Sequence, residues 1–267
     1  MTVGPSGPEH VPPRSVLGRA LHVLGAFTHD TPELGLGDLV RATGLPSATV
    51  HRLVAELVAA DALERVARGR YRVGMALWRL GALAPTARGL REAALPPMQD
   101  LAAATGHVVH LVVLDGLEAL FVERLAGHLP DDDARVRSRV GRSMPLHASG
   151  PGKVLLAHGG PELLDAVIAR GLPRVAPGTI TDPVALRRAV ADARAGGFCL
   201  SREEMTEGSA SVAAPVAGPD GVVVAALGVV VPASTPNLHA LVPAVRVAAA
   251  ASGRRLARRA GPDAPAP

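Results

Sequence analysis

The chain reads as an α+β protein in two parts: an N-terminal winged helix-turn-helix and a larger C-terminal domain of antiparallel strands with helices gathered around them. Three observations carry this reading. A helix-turn-helix pattern followed by a basic hairpin occupies the first third of the chain. The remaining two thirds place short β patterns beside helical ones, without the regular strand–helix alternation of a parallel sheet. A length of 267 residues suits two domains.

Composition narrows the class further. Hydrophobic residues make up 48% of the chain and aromatics only 2%, so any core is built from Ala, Val and Leu. Lys153 is the one lysine among 28 cations. The single cysteine, Cys199, excludes a disulfide framework and a cysteine-rich zinc finger, and it suits a reducing cytoplasm. No basic-then-apolar signal opens the chain; residues 1–13 are rich in Gly and Pro and are expected to be a disordered tail, with a second tail at 259–267. Residues 221–245 carry no charge, but their apolar run covers only 221–231. A membrane span needs about 20 apolar residues, so this stretch reads as a buried strand and a turn, with no membrane partner.

Charge is unevenly distributed. Residues 14–91 hold eleven arginines against six acids, whereas the rest of the chain holds 17 cations against 18 acids. The excess of positive charge lies where contact with phosphates is expected.

Taken in order, residues 15–27 show a helical period through Val16, Ala20, Leu21, Val23 and Leu24. Residues 35–44 give a short second helix stopped by Gly44. After the tight Gly44-Leu45-Pro46-Ser47 turn, Val50, Leu53, Val54, Leu57 and Val58 form an amphipathic stripe. The opposite face presents Ser47, Ala48, Thr49, His51, Arg52 and Glu56. In a helix-turn-helix the start of the second helix enters the major groove. There the small residues allow close approach, and Arg52 and His51 are placed for base edges or phosphates. Residues 62–66 and 70–73 alternate around an Arg-Gly turn, a β-hairpin carrying Arg65, Arg68, Arg70 and Arg72. A basic hairpin directly behind a recognition helix is a wing that touches the neighbouring backbone or minor groove. This region, 14–74, is the expected DNA-binding domain, joined by a linker helix at 75–90 to a second domain at 91–258.

In that second domain, 91–105 reads as a helix interrupted at Pro96 and Pro97. Residues 108–114 and 117–125 read as strands about Asp115-Gly116, and 135–142 as a further strand. Helices follow at 149–158, 162–170 and 183–196, strands at 198–201, 211–217 and 222–231, and a closing helix at 238–259.

The stretch SVLGRALHVLGAF…LGDLVRATGLPSATVHRLVAELVAADALER…GRYRVGMALWRLG resembles the IclR family of bacterial transcription regulators. The segments MPLHASGPGKVLLA and TDPVALRRAVADARAGGFCLSREEMTEGSASVAAPVAGPDGVVVAALGVVVP extend the resemblance over residues 15–255. The resemblance implies a homodimer, in many relatives assembled further into a tetramer, that binds an inverted-repeat operator in double-stranded DNA. It also implies a GAF-like effector domain with a six-stranded antiparallel sheet and a ligand pocket on one face. By motif position the pocket is expected near Met144, His147, Ser149, Gly150, Ser201, Gly208, Ser211, Gly228 and Val230. Where relatives that take small oxo-acids carry serines on the last strand, this chain has Ala226-Leu227-Gly228-Val229-Val230. The loss of two hydroxyl donors points to a more apolar effector, an aromatic or aliphatic organic acid held by Ser211 and backbone N–H groups. The function so implied is a ligand-responsive repressor or activator of a metabolic or catabolic operon.

Catalytic and cofactor readings fare poorly. Gly150-Pro151-Gly152-Lys153 fails the phosphate-loop spacing, with His147 where a glycine is needed and Val154 where Ser or Thr is needed. His107 and His110 are three apart, which on a strand puts them on opposite faces and argues against a shared metal. No G-x-S-x-G elbow accompanies His147 and the nearby serines. No catalytic residue, metal ligand or cofactor is assigned.

Overall fold

In the computed structural model, residues 13, 15–128 and 138–260 are described. The tails at 1–12 and 261–267, and residues 135–137 of the expected strand at 135–142, lie outside them. The chain divides between Ala84 and Pro85 into two units.

The first unit begins with α1 (Val16–Leu24), capped by the Ser15 hydroxyl, which accepts from the Gly18 N–H at 3.0 Å. Strand β1 (Glu33–Gly35) leads into α2 (Leu36–Thr43), where the Asp38 carboxylate reaches back to the Gly35 N–H. Gly44, at φ 65°, supplies the left-handed residue that ends α2 and turns the chain into α3 (Ser47–Ala59). Val50, Leu53 and Val54 of α3 are fully buried against Val23, Leu39 and Leu63, with Leu57 and Val58 packed at the edge. The apolar stripe therefore faces the core as its spacing requires. Strands β2 (Leu63–Arg65) and β3 (Arg70–Val73) pair antiparallel, and β1 adds a third strand on the far side of β3. Three residues of Glu-Leu-Gly are too short to show alternation, and β1 was not expected.

The linker helix expected at 75–90 is two helices. The first, α4, spans Met75–Gly81, and the second, α5 (Pro85–Thr105), starts at a proline. A residue before proline is driven out of the helical region, so the chain breaks there. Conversely, Pro96 and Pro97 do not interrupt α5. Ala93, Ala94 and Met98 around them are completely buried, and that packing holds the helix through the missing N–H donors.

The second unit is a six-stranded antiparallel sheet in the order β6-β5-β4-β9-β8-β7. Its strands are β4 (Val108–Asp115), β5 (Glu118–Leu125), β6 (Ser143–Pro145), β7 (Cys199–Arg202), β8 (Ser209–Ala217) and β9 (Val223–Pro232). The strand expected at 135–142 is displaced to β6, because Gly141 at φ 83° and the Arg142 N–H to Arg139 carbonyl bond make a turn just before it. Period-2 alternation sorts the sheet residues into two cores. Leu111, Val212, Val216, Leu227 and Val229 pack beneath α5 and the closing helix α9 (Val242–Ala260). Val112, Phe121, Ala213 and Ala226 face the other way, toward α6 (Gly150–His158), α7 (Pro161–Arg170) and α8 (Pro183–Gly196). The result is three layers, with helices on both faces of one sheet.

Candidate functional site

The first candidate surface lies on α3 and the hairpin. Ser47, Ala48, His51 and Arg52 are exposed on α3, and Thr49 is half-buried beside them. Arg52 holds Glu56 one turn on at 2.8 Å, an exposed pair of little worth that a phosphate or guanine can displace. On the hairpin, Glu64 and Arg72 stand opposite each other in register and form a two-pronged pair, each N–O distance 2.9 Å. That pair raises the Arg72 guanidinium above its ordinary range and lowers the Glu64 carboxyl. Arg70 donates to the Glu33 carbonyl. Arg68, at φ 61°, occupies the tip with Gly69, and among the described residues neither it nor Arg65 makes an ion pair. The tip and Arg65 thus offer their full charge to solvent, while Arg70 and Arg72 are tied to the hairpin.

The second candidate lies on the α6 face of the sheet. A cavity of about 460 Å³ opens there, within the usual size for a small organic ligand. Its floor follows from register. Ser201 of β7 lies beside Ser211 of β8, which lies beside Val230 of β9; one step along, Gly228 of β9 lies beside His110 of β4. Met144, Ser149, Ser201, Ser211, Gly228 and Val230, all expected from the sequence, line this cavity. His147, Gly150 and Gly208 are not among its lining residues. His147 is buried with Nε2 3.1 Å from the Pro173 carbonyl, and burial pushes its basicity down. Gly150, at the start of α6, packs onto the floor from the same side, where a Cβ would come within 2.7 Å of Ser211 Oγ. Gly208 turns the chain at φ 75°, its N–H donating to the Glu203 carboxylate.

Glycine at 228 has a packing reason that the lost-hydroxyl argument missed. A side chain there would meet Pro151 Cγ and the Val212 carbonyl, both at 3.2 Å. The Gly-Pro-Gly segment is the first turn of α6 pressed onto the sheet, with the Ser149 hydroxyl accepting from the Gly152 N–H at 3.1 Å. The Ser149 carbonyl takes the Lys153 N–H, so this turn spends part of its donor set internally.

Two family models match the chain. The one described as "IclR helix-turn-helix domain" covers residues 16–67, and "Bacterial transcriptional regulator IclR C-terminal" covers residues 84–253. The chain belongs to the IclR family. It is 34% identical over 211 residues to the HTH-type transcriptional regulator XynR of Escherichia coli, covering 78% of this chain and 82% of that one. A glycerol operon regulatory protein of Streptomyces griseus is 34% identical over 247 residues, covering 90% and 95%. Among solved structures, an IclR homologue from Microbacterium hydrocarbonoxydans complexed with 4-hydroxybenzoate has a TM-score of 0.84 and 38% identity, over 91% of this chain and 99% of that one. This IclR member is thus a helix-turn-helix transcriptional regulator with a C-terminal effector domain, and not an enzyme. Among its described residues no helix is long and apolar enough to cross a membrane.

Motif reading missed several lining residues, among them His110, Phe121, Arg142, Glu203 and Glu204. His110 is buried, 4.9 Å edge-to-face from the Phe121 ring, with Nε2 2.6 Å from the Ser138 hydroxyl. Burial, helped by the Arg124 charge, pushes its pKa down to about 3, so its ring is neutral. Glu204 pairs with Lys153 at 2.5 Å, both side chains almost wholly buried. The signal for that pair was present: Lys153 is the one lysine of the chain, and it sits in an otherwise apolar helix. Burial likewise pushes the Cys199 thiol up to about 11, an inert state.

Proposed function

We propose that this IclR member is a cytoplasmic homodimer that reads an inverted-repeat operator and changes its grip when an aromatic organic acid enters the cavity of its GAF-like domain. The observation that carries the effector reading is the cavity's lining. Phe121, Met144, Val175, Met205 and Val230 make an apolar slot, while Arg142 and the hydroxyls of Ser149, Ser201 and Ser211 offer hydrogen-bond partners for the polar groups of such an acid. The Microbacterium homologue's complex with 4-hydroxybenzoate supports the same class of ligand.

Dimerisation is supported by apolar side chains left in water within the first unit. Val16, Leu17 and Leu21 of α1 and Met75, Trp78 and Leu80 of α4 are all exposed. Large apolar side chains exposed on both helices suit burial against a second copy. On DNA, Ser47, Ala48, Thr49, His51 and Arg52 enter the major groove, and Arg65, Arg68, Arg70 and Arg72 hold the flanking backbone. The genes controlled belong to a metabolic or catabolic operon, in which the effector is a metabolite of the pathway regulated.

Selection from a random duplex pool at about 0.15 M salt tests the DNA half of this reading. Wild type should enrich an inverted repeat, and Arg52→Ala should lose or relax it. Salt-sensitive binding without enrichment, unchanged by the substitution, would remove the case for a sequence reader.

A further inference from the structure

The cavity wall between β7 and β8 holds a group with unmet bonding capacity. Glu204 lines the cavity and is 7% exposed. Its Oε1 accepts from Lys153 Nζ at 2.5 Å, and its backbone carbonyl accepts from the Thr179 hydroxyl at 2.6 Å. Its Oε2 is shielded from water and has no donor among the described residues. Buried carboxylate oxygens are normally satisfied, so a bare one beside a cavity calls for a donor.

The chemistry of that donor is constrained. Lys153 already balances the charge of Glu204, so a second cation would leave net positive charge in a dry site. A ligand carboxylate there would face repulsion. A neutral hydroxyl satisfies both limits. Because Glu204 repels an acid group, the hydroxyl it accepts from belongs to a part of the molecule away from its carboxylate.

We propose that Glu204 is a specificity-determining residue that reads a hydroxyl at the end of the effector remote from its carboxylate. Oε2 is the carboxylate oxygen left to accept it, since Oε1 is held by Lys153. The effector class is thereby narrowed from aromatic acids to hydroxylated ones, an inference that rests on the aromatic-acid reading above.

Calorimetry on the full chain tests it with three acids: 4-hydroxybenzoate, the smaller benzoate and the larger 4-methoxybenzoate. Wild type should bind the hydroxy acid about tenfold or more tighter than either analogue, since both lack the donor. In Glu204→Leu the preference should collapse toward unity, because the side chain no longer offers an acceptor. The Lys153→Met/Glu204→Leu double variant repeats the test without a bare buried charge. Equal affinities for the three acids in wild type would overturn the assignment whether or not either variant folds. A preference that persists in a folded variant would overturn it too. Binding of all three without discrimination sinks the role of Glu204 alone, whereas binding of none sinks the aromatic-acid reading with it.

Discussion

Acidification should weaken the effector domain through His110. The imidazole is buried with its pKa down at about 3, against 6.5 for the free side chain. Below pH 6.5 the unfolded chain takes up a proton at this residue that the folded chain refuses. Stability therefore falls as pH falls, with a slope approaching about 1.4 kcal/mol per pH unit, until the folded residue itself titrates near pH 3. Between pH 7 and pH 5 the loss is about 2 kcal/mol, a sizeable part of a typical domain's stability.

Urea unfolding of wild type and His110→Gln, followed by circular dichroism at several pH values, isolates this contribution. Glutamine keeps a polar group near the Ser138 hydroxyl but cannot titrate. Wild type should lead the variant by its widest margin at pH 7 or above, and the margin should shrink by about 2 kcal/mol by pH 5. His147 and His158, whose basicity burial also lowers, contribute to both proteins and cancel in the difference. Parallel pH profiles for the two proteins would refute the claim that His110 is held neutral by burial.

Three further outcomes follow from single contacts. Lys153→Met should cost about 3–5 kcal/mol at pH 7 by stranding Glu204, and Lys153→Met/Glu204→Leu should recover most of it in thermal unfolding. Gly152→Ala should unfold or severely destabilise the effector domain in urea titration, because its Cβ would fall 2.2 Å from the Leu146 carbonyl oxygen, whereas Gly81→Ala, in open space, should be harmless. Arg68→Ala at the hairpin tip should weaken binding to all duplexes alike and reduce the salt slope by about 1, as read by fluorescence anisotropy across salt.

What the sequence disclosed depended on how local the signal was. The α3 stripe and the hairpin are written in consecutive residues, with Gly44 and Gly69 marking the turns, and both stand where the pattern put them. The lining at Ser201, Ser211, Gly228 and Val230 was legible from motifs because alternate positions on paired strands share a face. His110 and Phe121 were not, since nothing local says that β4 and β5 extend that same floor. Nor could Glu204 be matched with Lys153, 51 residues earlier, before the fold brought them together. The break before Pro85 was open to view in the dipeptide Ala84-Pro85, and helical periodicity on either side of it obscured the rule.

If the proposed regulation holds, a ligand in the C-terminal domain alters DNA binding by the N-terminal one. The most direct test is the affinity of the full chain for its selected operator, measured by anisotropy with and without saturating 4-hydroxybenzoate. Operator affinity should change roughly 5- to 150-fold, with the same factor appearing in ligand affinity when operator is present. An operator affinity that stays constant while the ligand is demonstrably bound would contradict it.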